Sequence, residues 1–222
     1  MTIRSQYTHD LSEVQRALLL LSDAVAQAIV YAIGALRRND IAAARRVMRE
    51  DDDIDERRAD VEERVLQVIA AQQPFATDLR CLLSAVRIAD DLERIGDYAE
   101  GIAALVVRAA DDPPLPMPSE FELLTAQVQT MLQTGVTAFV ERNPAVAAEL
   151  DLVDDEVDDL QRTIQATMVQ QMRSDPQHAI RALHYLFVAH NLERIADRAV
   201  NIAERAAFIA TGQQSRPRRV RS

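Results

Sequence analysis

The chain has 222 residues with 25 basic against 35 acidic side chains, a formal charge of −10, and every basic residue is an arginine. The lack of lysine excludes Schiff-base catalysis and the phosphate-gripping lysines of P-loops and kinases, and the acidic balance sets the surface against nucleic acid. With 5 Gly, 4 Tyr, 5 Phe and no Trp, the chain is short of the residues that make hairpin turns and strands, so the fold class predicted is all-α.

No segment matches Gly-x-Gly-x-x-Gly, Gly-x-Ser-x-Gly or His-Glu-x-x-His, which removes the usual sequence support for nucleotide folds, serine hydrolases and zincins. Cys81 is the single cysteine and has no disulfide partner. The start Met1-Thr2-Ile3-Arg4-Ser5-Gln6 lacks an apolar signal core, and no uncharged apolar run reaches the ~18 residues of a membrane span. The expected location is cytoplasmic, with any membrane association peripheral.

Proline is expelled from helix interiors and tolerated at their starts, so the prolines and two Arg-Asn corners divide the chain. The first segment, 5–38, carries Leu11, Val14, Leu18, Leu21, Val25, Ala28 and Ala32 at steps of three and four, the period of an amphipathic helix. The second, 40–72, follows the Arg38-Asn39-Asp40 corner and holds Asp51 and Asp55 beside Ile54. The third, 74–110, opens at Pro74 and repeats the period through Cys81, Ala85, Ile88, Leu92, Ile95, Ala99, Ile102 and Val106. After a proline-rich linker, 111–118, come the fourth segment, 119–142, and a fifth, 144–173, which follows Arg142-Asn143-Pro144 and holds Asp154 and Asp158 beside Val157. The sixth, 176–211, runs through Tyr185, Val188, Leu192, Ile195, Ala199, Ile202 and Ala206. Residues 212–222 form a basic tail, for which a disordered solvated end and an arm for an acidic or lipid partner are the two readings.

The halves repeat. Residues 89–103 and 189–203 share nine of fifteen positions without a gap, and Asp51-Asp52-Asp53-Ile54-Asp55 answers Asp154-Asp155-Glu156-Val157-Asp158. Two tandem three-helix bundles follow, 5–110 and 119–211, each packed along a 3.5-residue seam.

The chemistry-bearing residues are carboxylates at i, i+4. At 100° per residue Asp90, Glu93, Asp97 and Glu100 fall within an arc of about 80°, roughly opposite the Leu92, Ile95 and Ala99 seam. His190, Glu193, Asp197 and Asn201 take the same stripe in the second half, and Asp51 with Asp55 and Asp154 with Asp158 add pairs from the neighbouring helices. Like charges at this spacing weaken a helix unless neutralised. Three readings stand: a solvated helix face, pairing with Arg94 and Arg194, and ligation of a hard or borderline cation. His9, His178 and His184 read as surface or bundle-edge residues, Cys81 as core, and no Ser or Cys has a base partner for nucleophilic catalysis.

Leu92-Glu93-Arg94-Ile95-Gly96-Asp97 and Leu192-Glu193-Arg194-Ile195-Ala196-Asp197 resemble the PhoU family of accessory regulators of bacterial phosphate uptake, as do Gln73-Pro74-Phe75-Ala76-Thr77-Asp78-Leu79-Arg80 and the Asp-rich stretches at Ile54-Asp55 and Val157-Asp158. The resemblance covers about residues 7–211 and implies a non-enzymatic, often dimeric cytoplasmic regulator that damps phosphate import and phosphate-starvation signalling. The partners it implies are the ATPase subunit of a phosphate ABC transporter and a sensor histidine kinase. It also implies surface metal sites, Fe, Zn, Mn or Mg, on Glu93 with Asp97 and Glu193 with Asp197. The candidate ligand set is therefore Asp51, Asp55, Asp90, Glu93, Asp97, Asp154, Asp158, His190, Glu193 and Asp197. Ala196 for the usual Gly, Asn191 opposite Asp91 and His190 opposite Asp90 are expected to make the second site less symmetrical. The rival from another class is a carboxylate-bridged metalloenzyme, which would bury its ligands in the core and use Glu-x-x-His.

Overall fold

A computed structural model of the chain describes residues 3–213, with side chains from residue 6 onward; the basic tail from 214 lies outside the described residues. Six long helices form: α1 Ile3–Arg38, α2 Ile41–Gln72, α3 Thr77–Arg108, α4 Glu120–Glu141, α5 Val146–Ser174 and α6 Ala179–Thr211, with a short 3-10 turn at Pro176–His178. Among the described residues there is no strand.

The corners have local causes. Asp40 caps α2 by accepting the Ala43 N–H at 2.9 Å, satisfying one donor that a helix start leaves open. Asn39 and Arg142 turn the chain in the left-handed region, at φ 50° and 56°, and Asn143 accepts the Ala145 N–H at 3.1 Å. Gln73 and Ala76 are also left-handed, both at φ 47°, so residues 73–76 make a turn and α3 begins at Thr77 rather than at Pro74 as the sequence suggests. Gly212, at φ 73°, ends α6 with its N–H on the Phe208 carbonyl, the left-handed stop that glycine accepts without strain.

α1 lies against both α2 and α3, and α4 against both α5 and α6, while α3 packs along α6 and α1 touches α4. The helices α2, α3, α6 and α5 thus lie side by side in that order, with α1 and α4 on the other side. A single buried cluster runs through both halves, from Leu11, Val14 and Leu18 to Ile202, Ala203 and Ile209. The joint between bundles is made by positions that the repeat pairs: Asp91 of α3 bridges Arg198 of α6 at 3.3 Å, and a Cβ on Gly101 of α3 would lie 3.1 Å from the Asn191 amide nitrogen. Asp91 and Asn191 therefore belong to this joint. The asymmetry expected of the second carboxylate site from that substitution is an asymmetry of the bundle contact.

The two bundles are not equal copies. α1 has 36 residues and α4 has 22, and the difference lies at the N-terminal end. In the first bundle that extra length covers the end of α2 and the start of α3, where the Tyr7 hydroxyl donates to the Asp78 carbonyl at 3.4 Å and Gln72 donates to Asp10 at 3.1 Å. In the second the linker does this work. Arg181, buried at 5% exposure, donates to the Ala109 and Asp112 carbonyls at 2.7 and 3.1 Å and to the Asn39 side chain at 3.2 Å. The Tyr185 hydroxyl donates to Leu115 at 2.8 Å, its ring lies 5.7 Å from that of Phe121, and His184 stands 3.2 Å from Asp112.

α1 is, by length and composition, apolar enough to cross a membrane. Its Leu18, Leu21, Val25, Ile29 and Ala32 are fully buried in the first bundle, so that stripe is occupied by protein.

Candidate functional site

The i, i+4 pairs, which each helix holds on its own, meet across the grooves between helices. Gly96 is the reason in the first half. A Cβ there would lie 3.0 and 3.1 Å from two methyl carbons of Ile54 and 3.4 Å from an Asp51 carboxylate oxygen, so the missing side chain lets α2 approach α3. Ile54 fills the groove floor at 3% exposure, and Asp51, three residues before it, and Asp55, the residue after it, are brought toward Glu93, Asp97 and Glu100. Partial burial, then the charges of Glu100, Asp97, Asp55 and Glu93, push the Asp51 carboxyl up to about 6. Burial and Asp97 with Asp55 raise Glu93, with Arg58 and Arg94 opposing. Burial and Asp55 raise Asp97, with Arg94 opposing.

In the second half Ala196 stands where Gly96 does and Val157 where Ile54 does, both fully buried. One methyl added on α6 is matched by one removed on α5. Asp154 is buried at 8% exposure, and Glu193 faces it and Asp158: burial, then Asp197, push Glu193 up to about 7, with Arg194 opposing and Asp158 and Asp154 adding to the rise. The Glu193 Oε2 is buried without a hydrogen bond; His190 Nδ1 lies 3.4 Å from it and Arg194 Nε 3.8 Å. Arg194 also bridges Asp197 at 3.2 Å.

These placements correct the sequence reading in three respects. The stripes are not turned away from the packing: Glu93 and Glu193 are partly buried at the rims of the α2–α3 and α5–α6 grooves, because each helix packs on two neighbours and its stripe borders one of them. Asp90 leaves the cluster for Arg58 at 3.2 Å, with Arg87 at 4.0 Å. Glu100, on the stripe but outside the proposed ligand set, is the largest charge acting on Asp51. The convergence of α2 with α3 was readable in principle from Gly96 opposite a branched Ile54, since a glycine inside a strong helix marks a close approach.

The two clusters differ in what neutralises them. The first is oxygen-only, with Arg94 exposed nearby and Arg58 occupied by Asp90 and Glu62. In the second, Arg194 lies across Glu193 and Asp197, and His190 is half exposed beside them. Carboxylates raised by one another, with a buried oxygen lacking a donor, suit a hard or borderline cation. Among the described residues no three His, Cys, Asp or Glu side chains stand close enough to hold one ion together.

Two of the other histidines lie against carboxylates: His178 Nδ1 is 2.9 Å from Asp175 at the 3-10 turn, and His184 Nδ1 is 3.2 Å from Asp112 of the linker; His9 is exposed. Cys81 is buried, and burial raises its thiol further from ionisation.

The PhoU domain model matches residues 18–106 and again 121–206, one copy per bundle. The phosphate-specific transport system accessory protein PhoU homolog of Clostridium acetobutylicum is 33% identical over 212 residues, covering 95% of this chain and 97% of its own. The Aquifex aeolicus homolog of the same name is 32% identical, with 92% of each chain covered. Among solved structures, PhoU from Pseudomonas aeruginosa superposes with a TM-score of 0.86 at 30% identity over 93% of this chain and all of its own. The regulatory protein PhoU from Streptococcus pneumoniae shares the fold, with a TM-score of 0.87 at 24% identity over 95% of this chain and 99% of its own. With both bundles matched and relatives aligned almost end to end, the chain belongs to the PhoU family.

Proposed function

We propose that the chain is a non-enzymatic accessory regulator of phosphate transport and phosphate-starvation signalling, an adaptor between the ATPase subunit of a phosphate ABC transporter and a sensor histidine kinase. The observation that carries the reading is the paired arrangement of carboxylates: two groove-rim clusters, Asp51, Asp55, Glu93, Asp97 and Glu100 in one bundle and Asp154, Asp158, Glu193 and Asp197 in the other, set by the same motif on a slab of long packed helices. Relatives named as accessory proteins of phosphate-specific transport supply the system. The carboxylates are the side chains that would hold a divalent or trivalent ion, which would neutralise their mutual repulsion and present a defined charge to a partner. A homodimer fits the same role.

A metalloenzyme of the ferritin kind would need its ligands between the helices of the core, and the corresponding interior positions here, Leu92, Ile95, Leu192 and Ile195, are apolar and fully buried.

The partner reading is tested by pull-down of the purified transporter ATPase and of the kinase at moderate salt; phosphate control that persists without contact to either would overturn it. The metal reading is tested by calorimetric titration of chelator-treated protein with Mn²⁺, Mg²⁺, Zn²⁺ or Fe³⁺. Saturable binding that disappears in the Glu93→Gln/Glu193→Gln double variant is expected, and zinc should favour the second cluster, where His190 adds a nitrogen. Binding indifferent to both substitutions would place the metal elsewhere.

A further inference from the structure

The joint between the bundles is basic although the chain is acidic. Asn191, Arg198 and Arg205 follow one another at i, i+7 and i+14 on α6 and so lie on one line of that helix, the line that meets α3 through Asp91 and Gly101. One hundred residues earlier, α3 carries Asp91, Tyr98 and Leu105 at the matching positions. The fold therefore places no demand for arginine there, and both arginines belong to the second half.

Asp91 is the carboxylate of this joint, its side chain 13% exposed against 23% for Arg198. Burial pushes Asp91 up, with Arg198, Arg205 and Arg94 opposing. One cation balances one carboxylate, and Arg198 does so at 3.3 Å. Arg205 is a second cation on the same group, and Arg94, shared with Glu93 and Asp97, a third. Glu204, next to Arg205 in sequence, falls at 100° per residue on the stripe of Glu193 and Asp197, which borders α5. The Nε donors of Arg198 and Arg205 are both buried without an acceptor among the described residues. A buried donor left unmade keeps the whole cost of its desolvation, and two on one line call for an acceptor from outside the chain.

The basic strip is narrow. Axes of packed helices stand about 8–10 Å apart, and beyond α3 and α6 the α2–α3 and α5–α6 grooves carry the carboxylate clusters. A nucleic acid or an acidic protein surface would overhang the strip and meet that acid on both sides. A small anion would not. A guanidinium grips a tetrahedral oxyanion as a fork, through its Nε–H and one Nη–H together.

We propose that the α3–α6 joint binds a free tetrahedral oxyanion of the phosphate class, held by Arg198 and Arg205 of one bundle and Arg94 of the other, beside Asp91. Arg205, which is half-buried, turns its guanidinium outward to meet the anion, and its Nε–H gains the acceptor it lacks. Because the donors come from both bundles, the bound anion ties the two together. The choice of phosphate among oxyanions rests on the accessory reading; the seat itself rests on the arginines.

Inorganic phosphate is titrated calorimetrically into the full chain in EDTA, so that no metal on the carboxylate clusters can recruit it. Saturable binding of one ion per chain is expected, half-complete at or below about 1 mM. Arg205→Gln should weaken it about tenfold or more, and Arg205→Lys, which keeps the charge but not the fork, should fall between. Asp91→Asn, which installs the residue that α6 carries, should tighten it about threefold or more by removing a like charge. Arg16→Gln, on α1 at the other side of the slab, should leave it unchanged, and circular dichroism checks that each variant folds. No saturable binding in the wild type would overturn the proposal. So would binding indifferent to Arg205→Gln, an equal loss in Arg16→Gln, or binding that needs added metal. Binding of a phosphoserine peptide or of phosphatidate vesicles without binding of the free ion would also overturn it. Absence of phosphate binding with the transporter ATPase still captured would break this inference and leave the accessory role standing; phosphate binding without capture of either partner would break the role and leave the seat.

Discussion

The two bundles solve one packing problem in two ways. Both must bring an acidic pair on their middle helix close to an acidic stripe on their last helix. The first does so with Gly96 against Ile54 and leaves an oxygen-only cluster; the second uses Ala196 against Val157 and lays Arg194 and His190 over its carboxylates. The first is closed at its end by the additional length of α1, the second by an irregular linker pinned on Arg181. A duplicated motif thus fixes where the carboxylates stand, while the neighbours that duplication left free to diverge decide how their charge is balanced.

The sharpest break in the equivalence is Arg181, whose counterpart is the buried Cys81. Arg181→Met keeps the bulk and removes the donors to the Ala109 and Asp112 carbonyls and to Asn39, leaving buried carbonyls unpaired; a loss of about 3 kcal/mol in urea unfolding is expected. Cys81→Ala, a small change in a core site, should cost about 1 kcal/mol. Equal effects would show that the linker does not depend on the guanidinium.

Next come the glycines. A Cβ on Gly135 would lie 2.7 Å from the Ala199 carbonyl oxygen, a backbone atom, so Gly135→Ala should cost about 2 kcal/mol by forcing α4 away from α6, although the first bundle carries Ala32 at the matching place. Gly96 meets only the methyls of Ile54 and one Asp51 oxygen. Gly96→Ala combined with Ile54→Val copies the second bundle, and the pair should be more stable than the sum of its single changes by about 0.5 kcal/mol or more in a double-mutant cycle. Additive values would mean that the two grooves are not interchangeable.

The pH dependence separates the clusters from ordinary surface acid. Asp51 rises from 3.8 to about 6 and Glu193 from 4.5 to about 7 in the folded chain. As pH rises from 4, the unfolded chain releases these protons first, so the stability they contribute is full below about pH 4 and is lost as pH climbs through 6 to 7. Metal-free protein should therefore be less stable at pH 8 than at pH 5, by about 1–2 kcal/mol after allowance for solvent screening. A saturating divalent ion should reduce that difference by binding the ionised, folded form. A flat profile between pH 5 and 8 would show that the carboxylates do not feel one another.

The smallest effect compares the two glutamates directly. Glu193→Gln should stabilise the metal-free protein by about 0.5–1 kcal/mol and Glu93→Gln by less, because a Glu193 oxygen is buried without a hydrogen bond and the side chain lies against Asp197, Asp158 and Asp154. The measurement is thermal unfolding in EDTA. The reverse order would assign the greater strain to the oxygen-only cluster.

The order of the helices, their approximate ends and the doubling of the fold were legible from proline placement, a strict apolar period and the Leu-Glu-Arg-Ile repeat, since these are properties of neighbouring residues along one helix. The identity of the acidic motif was equally local. What a helix faces is not local. Asp90 shares a stripe with Glu93 and Asp97 yet turns to Arg58, and Asp91 and Asn191, one residue away, serve the joint between bundles. Arg181 reads in sequence as an ordinary residue at a helix start, and only the shortening of α4 gives its guanidinium a buried partner set. The sequence by itself determined which side chains each helix carries on each side, because 100° per residue follows from backbone hydrogen bonding alone. Only the packing of six helices decided which of those sides meet, because a groove is made by residues from two helices and its depth depends on single methyl groups at their closest approach.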